Sequence, residues 1–251
     1  MRASATALTA EGGSASFLFS QAGIFVLCYK WSHTPYLRFE RQDNVQVAVV
    51  SITRQPSPHG TALHCASHIT LRGQGFDLFG PLMPVAVLCA WGPKLPPTAL
   101  TREGDTLASC ITPAPSSLQP LPLSLVVVPL GAADGVVLGE IPISDISVFK
   151  PSSWSVMSSV PSGAPFNVEL PVSLFGYGFA DFGMPLCSFG GYVGSRGIVS
   201  ADGTMVNCSK PAFPNAERGH VGPIPVHFSP NGQCFPTRSS QANNFSIYNS
   251  F

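Results

Sequence analysis

Charge is what this sequence has least of. Lys and Arg number 13, Asp and Glu 13, together 10% of 251 residues, and they cancel. A neutral chain lacks the basic face that phosphate-tracking nucleic-acid binding requires. It equally lacks the polybasic patch of a membrane-surface protein. Long apolar runs are missing: the longest, such as Leu123–Leu130, are too short to cross a bilayer. Residues 1–13 are small and polar, so no signal peptide is recognisable. There is no G-x-S-x-G elbow, H-E-x-x-H, P-loop or dinucleotide fingerprint. Uninterrupted helical stretches are absent too, because 25 Pro and 24 Gly punctuate the chain. They follow no period, which excludes collagen and favours short strands joined by turns. What remains is apolar: 45% hydrophobic residues and a mean hydropathy of +0.25 exclude a disordered chain. The length suits two Ig-sized β-domains with a remainder.

The strongest signal is an internal repeat. Leu71-Arg72-Gly73-Gln74-Gly75-Phe76 is matched by Leu174-Phe175-Gly176-Tyr177-Gly178-Phe179. Cys89-Ala90-Trp91-Gly92 is matched by Cys187-Ser188-Phe189-Gly190. A further cysteine follows each at the same spacing, Cys110 and Cys208. Each is preceded by a turn, Glu103-Gly104-Asp105 or Asp202-Gly203, and followed by a proline-containing exit. Asp134-Gly135 then corresponds to Asn231-Gly232, and Ile146-Ser147-Val148-Phe149 to Phe245-Ser246-Ile247-Tyr248. Features in one order with equal cysteine spacing mark a duplicated unit. The unit reads as β throughout: residues 85–90 alternate, residues 123–130 form a buried-strand run, and Asp-Gly and Asn-Gly suit hairpin turns. A β-sandwich is the expected form.

Residues 1–55 belong to neither copy. Strands are expected at Ser16–Ser20, Gly23–Trp31 and Val45–Ile52. Three strands make half a sandwich and leave Phe17, Phe19, Val26 and Cys28 to be covered. The segment is part of a longer protein, an extra sheet on the first copy, or half of a sandwich completed by another chain.

These motifs resemble the IPT/TIG family of Ig-like domains: G-x-G-F, C-x-[WF]-G, a turn before C-x-x-P, an N-G or D-G hairpin, and a closing F-S-x-Y strand. The second copy contains every element between Phe166 and Phe251. The first departs by a longer segment between Phe76 and Cys89 and by a loose match over 134–146. Ala22-Gly23-Ile24-Phe25-Val26-Leu27-Cys28-Tyr29 resembles the penultimate strand of an Ig-like domain, with Phe25 at the position of the corner tyrosine. The resemblance implies an all-β chain of tandem Ig-like (IPT/TIG) sandwiches preceded by a partial Ig-like sheet. The expected divisions are 1–55, 56–150, a linker over 151–162, and 163–251.

The equal spacing pairs Cys89 with Cys110 and Cys187 with Cys208, the alternative being free core thiols of a cytosolic protein. Cys28–Cys65 would tie the N-terminal piece to the first copy. Cys234 then remains free or intermolecular. His64, Cys65 and His68 have no second ligand group at metal spacing, and His64 and His68 share a face if the stretch is a strand. Asp77 and Asp181 read as solvated loop residues rather than a cation site. Asn207-Cys208-Ser209 and Asn244-Phe245-Ser246 are N-glycosylation sequons whose asparagines alternation turns to solvent. Ser/Pro stretches at 113–122 and 152–165 suit O-linked sugars or plain linkers. No catalytic residue, metal or cofactor is expected.

The expected role is a non-enzymatic structural glycoprotein module of an extracellular appendage, fibre or coat. Its partners are self-association or neighbouring Ig-like domains. The resemblance extends to flagellar-hair proteins of protists. The alternative is an adhesion or receptor ectodomain binding a protein or glycan, and a third class is the accessory part of a polysaccharide enzyme.

Overall fold

The fold was read from a computed structural model. It describes residues 50–79, 85–129, 139–213, 222–235 and 243–248, together with the backbone of short N-terminal strands. Those strands are Ser4–Ala5 (β1), Phe17–Leu18 (β2), Gly23–Val26 (β3), Cys28–Tyr29 (β4), Leu37–Arg38 (β5) and Gln46–Val49 (β6). They pair as β1–β2, β3–β6 and β4–β5, all antiparallel. The side chains of Phe17, Phe19, Val26 and Cys28 lie outside the described residues, as does Asp134-Gly135.

The first sandwich begins at Ser51–Ile52 (β7), inside the stretch expected to precede it. It continues through Gly60–Ala62 (β8), His68–Gln74 (β9), Val85–Ala90 (β10), Thr98–Ala99 (β11), Thr101–Arg102 (β12), Leu107–Ile111 (β13), Leu121–Pro129 (β14) and Gly139–Phe149 (β15). The second comprises Ser155–Val160 (β16), Gly163–Pro165 (β17), Leu170–Tyr177 (β18), Leu186–Phe189 (β19), Tyr192–Arg196 (β20), Ile198–Val199 (β21), Met205–Lys210 (β22), Gly222–Ser229 (β23) and Asn243–Tyr248 (β24). The stretch 151–162, expected as a linker, thus contains β16. That strand is rich in serine, but it pairs with β18 and turns Val156 into the core.

The two sandwiches have one topology. Sheet order β8-β15-β14-β10-β11 in the first equals β17-β24-β23-β19-β20 in the second. Order β7-β9-β13-β12 likewise equals β16-β18-β22-β21. In each copy the chain leaves one sheet and joins the other in parallel: β8 runs along β15, with Ser147 facing Gly60, and β17 runs along β24, with Ser246 facing Gly163. The repeat seen in sequence is therefore a repeat of strand order and of register.

Each G-x-G-F motif has a packing reason. A Cβ on Gly73 would overlap the carbonyl of Ser51, and one on Gly176 the carbonyl of Ser155. The neighbouring strand therefore passes too close for any side chain. The second glycine of each motif turns the chain, Gly75 at φ 91° and Gly178 at φ 72°, a region that favours glycine. Phe76 and Phe179 then drop into the two cores. The turn before each second cysteine clasps this bend. Gly73 N–H and Phe76 N–H donate to Thr106 O and Asp105 O in the first copy. Gly176 N–H and Phe179 N–H donate to Thr204 O and Gly203 O in the second.

Cys89 and Cys110 are bonded across the first sandwich and Cys187 and Cys208 across the second, with Cα–Cα distances of 6.4 and 6.2 Å. Trp91 and Phe189, two residues after the first cysteine of each pair, are buried beside them.

Candidate functional site: the junction between the sandwiches

The third disulfide joins Cys65 to Cys234 across 169 positions, from the β8–β9 loop of the first sandwich to the loop after β23 of the second. This corrects two expectations: Cys65 does not pair with Cys28, and Cys234 is not left over. The cause is topological. The two loops meet at the junction, with Cα–Cα 6.3 Å.

Around this bond lies a buried polar cluster. Asn231 is fully buried. Its Nδ2 donates to Gly60 O at 3.2 Å and to Ser67 Oγ at 3.0 Å, both in the first sandwich. Its Oδ1 accepts from Ser229 Oγ, Gln233 N and Cys234 N at 3.0, 3.2 and 3.1 Å, all in the second. Ser67 Oγ lies 2.7 Å from Thr61 Oγ1, which donates to Cys65 O at 2.9 Å. Ser67 N–H donates to Thr112 Oγ1 at 2.8 Å. Gln233 extends the join outward: its Oε1 accepts from His68 N at 2.6 Å and its Nε2 donates to His68 O at 2.8 Å. A side-chain amide here pairs with a strand-end backbone as another strand would.

An aromatic layer covers the other side. Phe149, the last residue of β15, stacks on Phe182 with centroids 4.7 Å apart and meets Trp154 edge-on at 5.6 Å. Phe182 also packs edge-on against His59, whose N–H donates to Phe182 O at 2.8 Å. Trp154 Nε1 donates to Phe228 O at 3.2 Å. Only Lys150–Trp154 separates the sandwiches in sequence, and a turn from Lys150 O to Ser153 N shortens it. Phe149 and Ala62 of the first sandwich consequently belong to the core of the second. Such burial leaves little room for a hinge: bending would wet two aromatic rings and break the amide's bonds.

Sequence reasoning missed Asn231 as anything but a turn residue. A signal existed: Cys234 stands outside the framework shared by the two copies, as a residue acting between copies would. Lys210 was also missed. It is fully buried, and its Nζ donates to the carbonyls of Pro165, Phe166 and Val168 at 3.0, 3.1 and 2.7 Å. The Phe213 ring lies 4.4 Å from the ammonium. Burial holds the Lys210 pKa below the ordinary lysine value. Thr112, two residues past Cys110 as Lys210 is past Cys208, binds the corresponding loop through Ser67.

The remaining candidates are scattered. His64 sits in a turn at φ 63°, not on a strand with His68, and Cys65 is oxidised rather than a thiolate ligand. Asp181 Oδ1 accepts from Gly183 N at 2.6 Å, and Asp77 is exposed. Asp202 accepts from Ser200 and Thr204, and these bonds hold its carboxyl below the usual range. His227, at the middle of the second sandwich's larger sheet, has a buried Nδ1 without a hydrogen-bond partner among the described residues. Burial lowers its pKa. Asn207 and Asn244 are both exposed.

No protein-family model matches the chain, and no curated protein matches it in sequence. Solved structures do. The extracellular region of plexin A4, domains 1 to 8, aligns at TM-score 0.51 and 10% identity over 86% of this chain and 20% of that one. Domains 1 to 10 of the same region align at TM-score 0.51 and 10% identity over 88% of this chain and 17% of that one. The likeness is one of fold. This is an all-β chain of tandem Ig-like sandwiches. It spans about a fifth of the length of the plexin structures. The adhesin InvE of Yersinia pseudotuberculosis aligns over 79% of this chain and 58% of that one at 12% identity and TM-score 0.26.

Proposed function

We propose that the chain is a stiff extracellular building block, an IPT/TIG-type Ig-like pair that serves as a structural module of an appendage, fibre or surface coat. The observation that carries this reading is the locked junction, where one disulfide, one buried amide and an aromatic layer make two sandwiches a single body. Interfaces between domains of one chain are ordinarily small and polar and permit motion. A load-bearing or length-setting module needs the opposite. Three disulfides support an oxidising compartment. Two exposed sequon asparagines support N-glycans at Asn207 and Asn244. The N-terminal strands are the proposed site of self-association, because a short two-stranded pair leaves edges that recruit another strand.

An adhesion or receptor ectodomain is the second reading. The fold likeness to an extracellular region favours it over any intracellular role. Two measurements separate the readings. Immunogold labelling of the source cells is expected to mark an extracellular appendage or coat, and intracellular label would refute both. Sedimentation of the purified full chain is expected to reveal linear polymers. A chain that stays monomeric at all concentrations refutes the building-block reading and leaves the ectodomain.

A further inference from the structure

The outer face of the β16-β18-β22-β21 sheet is unusually apolar. Met157 and Val160 on β16, Phe175 and Tyr177 on β18, and Ile198 on β21 are all exposed, Ile198 at 71% and Met157 at 68%. The corresponding sheet of the first sandwich is a built-in comparison. Where the second copy has Phe175 and Tyr177, the first has Arg72 and Gln74 at the same places in G-x-G-F. Where the second has Asn207 of a sequon, one residue before its second cysteine, the first has Ser109, whose Oγ donates to Glu103. The first copy carries the charge of Arg72 on this face, beside an exposed Ile111 and a buried Ser109. The second has no exposed charged residue on these strands and has a sequon at the centre of the face.

Register makes the placement definite. Asn207 faces Ser173 on one side and Ile198 on the other, while Phe175 faces Met205 one step along the same face. Phe175 is thus the diagonal neighbour of Asn207, about 7 Å away. Ser173 Oγ donates to Asn207 Oδ1 at 2.8 Å, fixing the amide, and Nδ2 has no partner among the described residues. We infer that the occupant of this apolar face is an N-linked glycan on Asn207, whose first sugars lie across Phe175, Met205 and Ile198 and take the place of the missing charges. The apolar C–H face of a pyranose suits an aromatic ring, and its hydroxyls present a wet outer surface. The linkage forms when Nδ2 attacks the anomeric carbon of a lipid-pyrophosphate-linked oligosaccharide. The new bond is Nδ2–C1, the C1–O bond to the pyrophosphate breaks, and the Nδ2 proton goes to that leaving group. The inference rests on the extracellular reading above.

The test uses the full chain secreted from eukaryotic cells behind a foreign leader, so that it does not depend on where the native protein resides. Glycopeptide mass spectrometry is expected to find Asn207 occupied. The folded glycoprotein is then trimmed under native conditions, either to a single sugar or completely, and probed with a hydrophobic dye. Complete removal is expected to raise dye binding several-fold and to induce self-association, whereas the single-sugar stub keeps both low. Ser246→Ala, which removes the other sequon, is the control and is expected to leave dye binding unchanged. Phe175→Ser with Ile198→Ser is expected to abolish the effect of trimming. Unmodified Asn207 in secreted, disulfide-bonded protein overturns the inference, as does an occupied Asn207 whose complete removal leaves dye binding and self-association unaltered. Neither result bears on the building-block reading, which the labelling and sedimentation of native material decide.

Discussion

Replacing Asn231 tests whether the junction is a structural lock. The side chain holds six hydrogen bonds, two across the junction and four within the second sandwich, the fourth from Nδ2 to Cys234 Sγ at 3.6 Å. Asn231→Ala deletes all six. The serine hydroxyls can turn to other partners, Ser67 to Thr61 above all, and Gln233, an exposed residue, can turn its N–H to water, but the N–H of Cys234 and the carbonyl of Gly60 are buried and cannot. At about 1–3 kcal/mol for each buried group left unsatisfied, a total loss of about 3–5 kcal/mol is expected. That is a large share of the roughly 5–15 kcal/mol of a typical domain. Asn231→Asp divides the effect. A carboxylate still accepts from Ser229, Gln233 and Cys234 but no longer donates to Gly60 O or Ser67 Oγ. The second sandwich therefore keeps its loop while the junction opposes a carboxylate to a carbonyl. Urea titration followed by tryptophan fluorescence is the assay, because Trp91 lies in the first core and Trp154 at the junction. Asn231→Asp at neutral pH is expected to shift the Trp154 signal before that of Trp91. An Asn231→Ala loss under about 1 kcal/mol, or coincident unshifted transitions in both variants, would refute the lock.

Other outcomes are equally concrete. Gly176→Ala should cost about 2–4 kcal/mol in denaturation because its Cβ meets backbone rather than a movable side chain, while Gly139→Ala, with open space around it, should be neutral or stabilising. His227 has its folded pKa lowered by burial, so the unfolded chain binds more protons below about pH 6.5 and stability falls as pH falls there. His227→Gln should flatten that acid limb in thermal melts between pH 7 and 5, and an unchanged limb would mean that another group is responsible. Non-reducing peptide mapping should recover Cys65 linked to Cys234, and a Cys65–Cys28 peptide would overturn the junction described here.

The sequence by itself determined the all-β class, the duplication, and the pairing of each cysteine with the one 21 positions on. These were legible because each belongs to a unit written twice, and because alternation and turn residues act over a few positions. The sequence also placed the sequon asparagines on the solvent side, since a strand alternates faces whatever surrounds it. What only the tertiary structure decided joins residues that no period connects. Asn231 meets Ser67 across 164 positions and Cys234 meets Cys65 across 169, and neither pair leaves a local pattern. The first glycine of each G-x-G is a like case. Its cause is the carbonyl of a neighbouring strand, β7 in the first copy and β16 in the second, which lie within the stretches 1–55 and 151–162 and outside the repeated motifs. Strand β16 escaped notice because serines dilute its alternation, and its identity as a strand comes from the edge of β18 that it covers. In sequence Lys210 is one lysine within the proline-containing exit after Cys208. It is buried because the loop over 165–168 turns three carbonyls toward one point, a geometry that exists only once both sheets have packed.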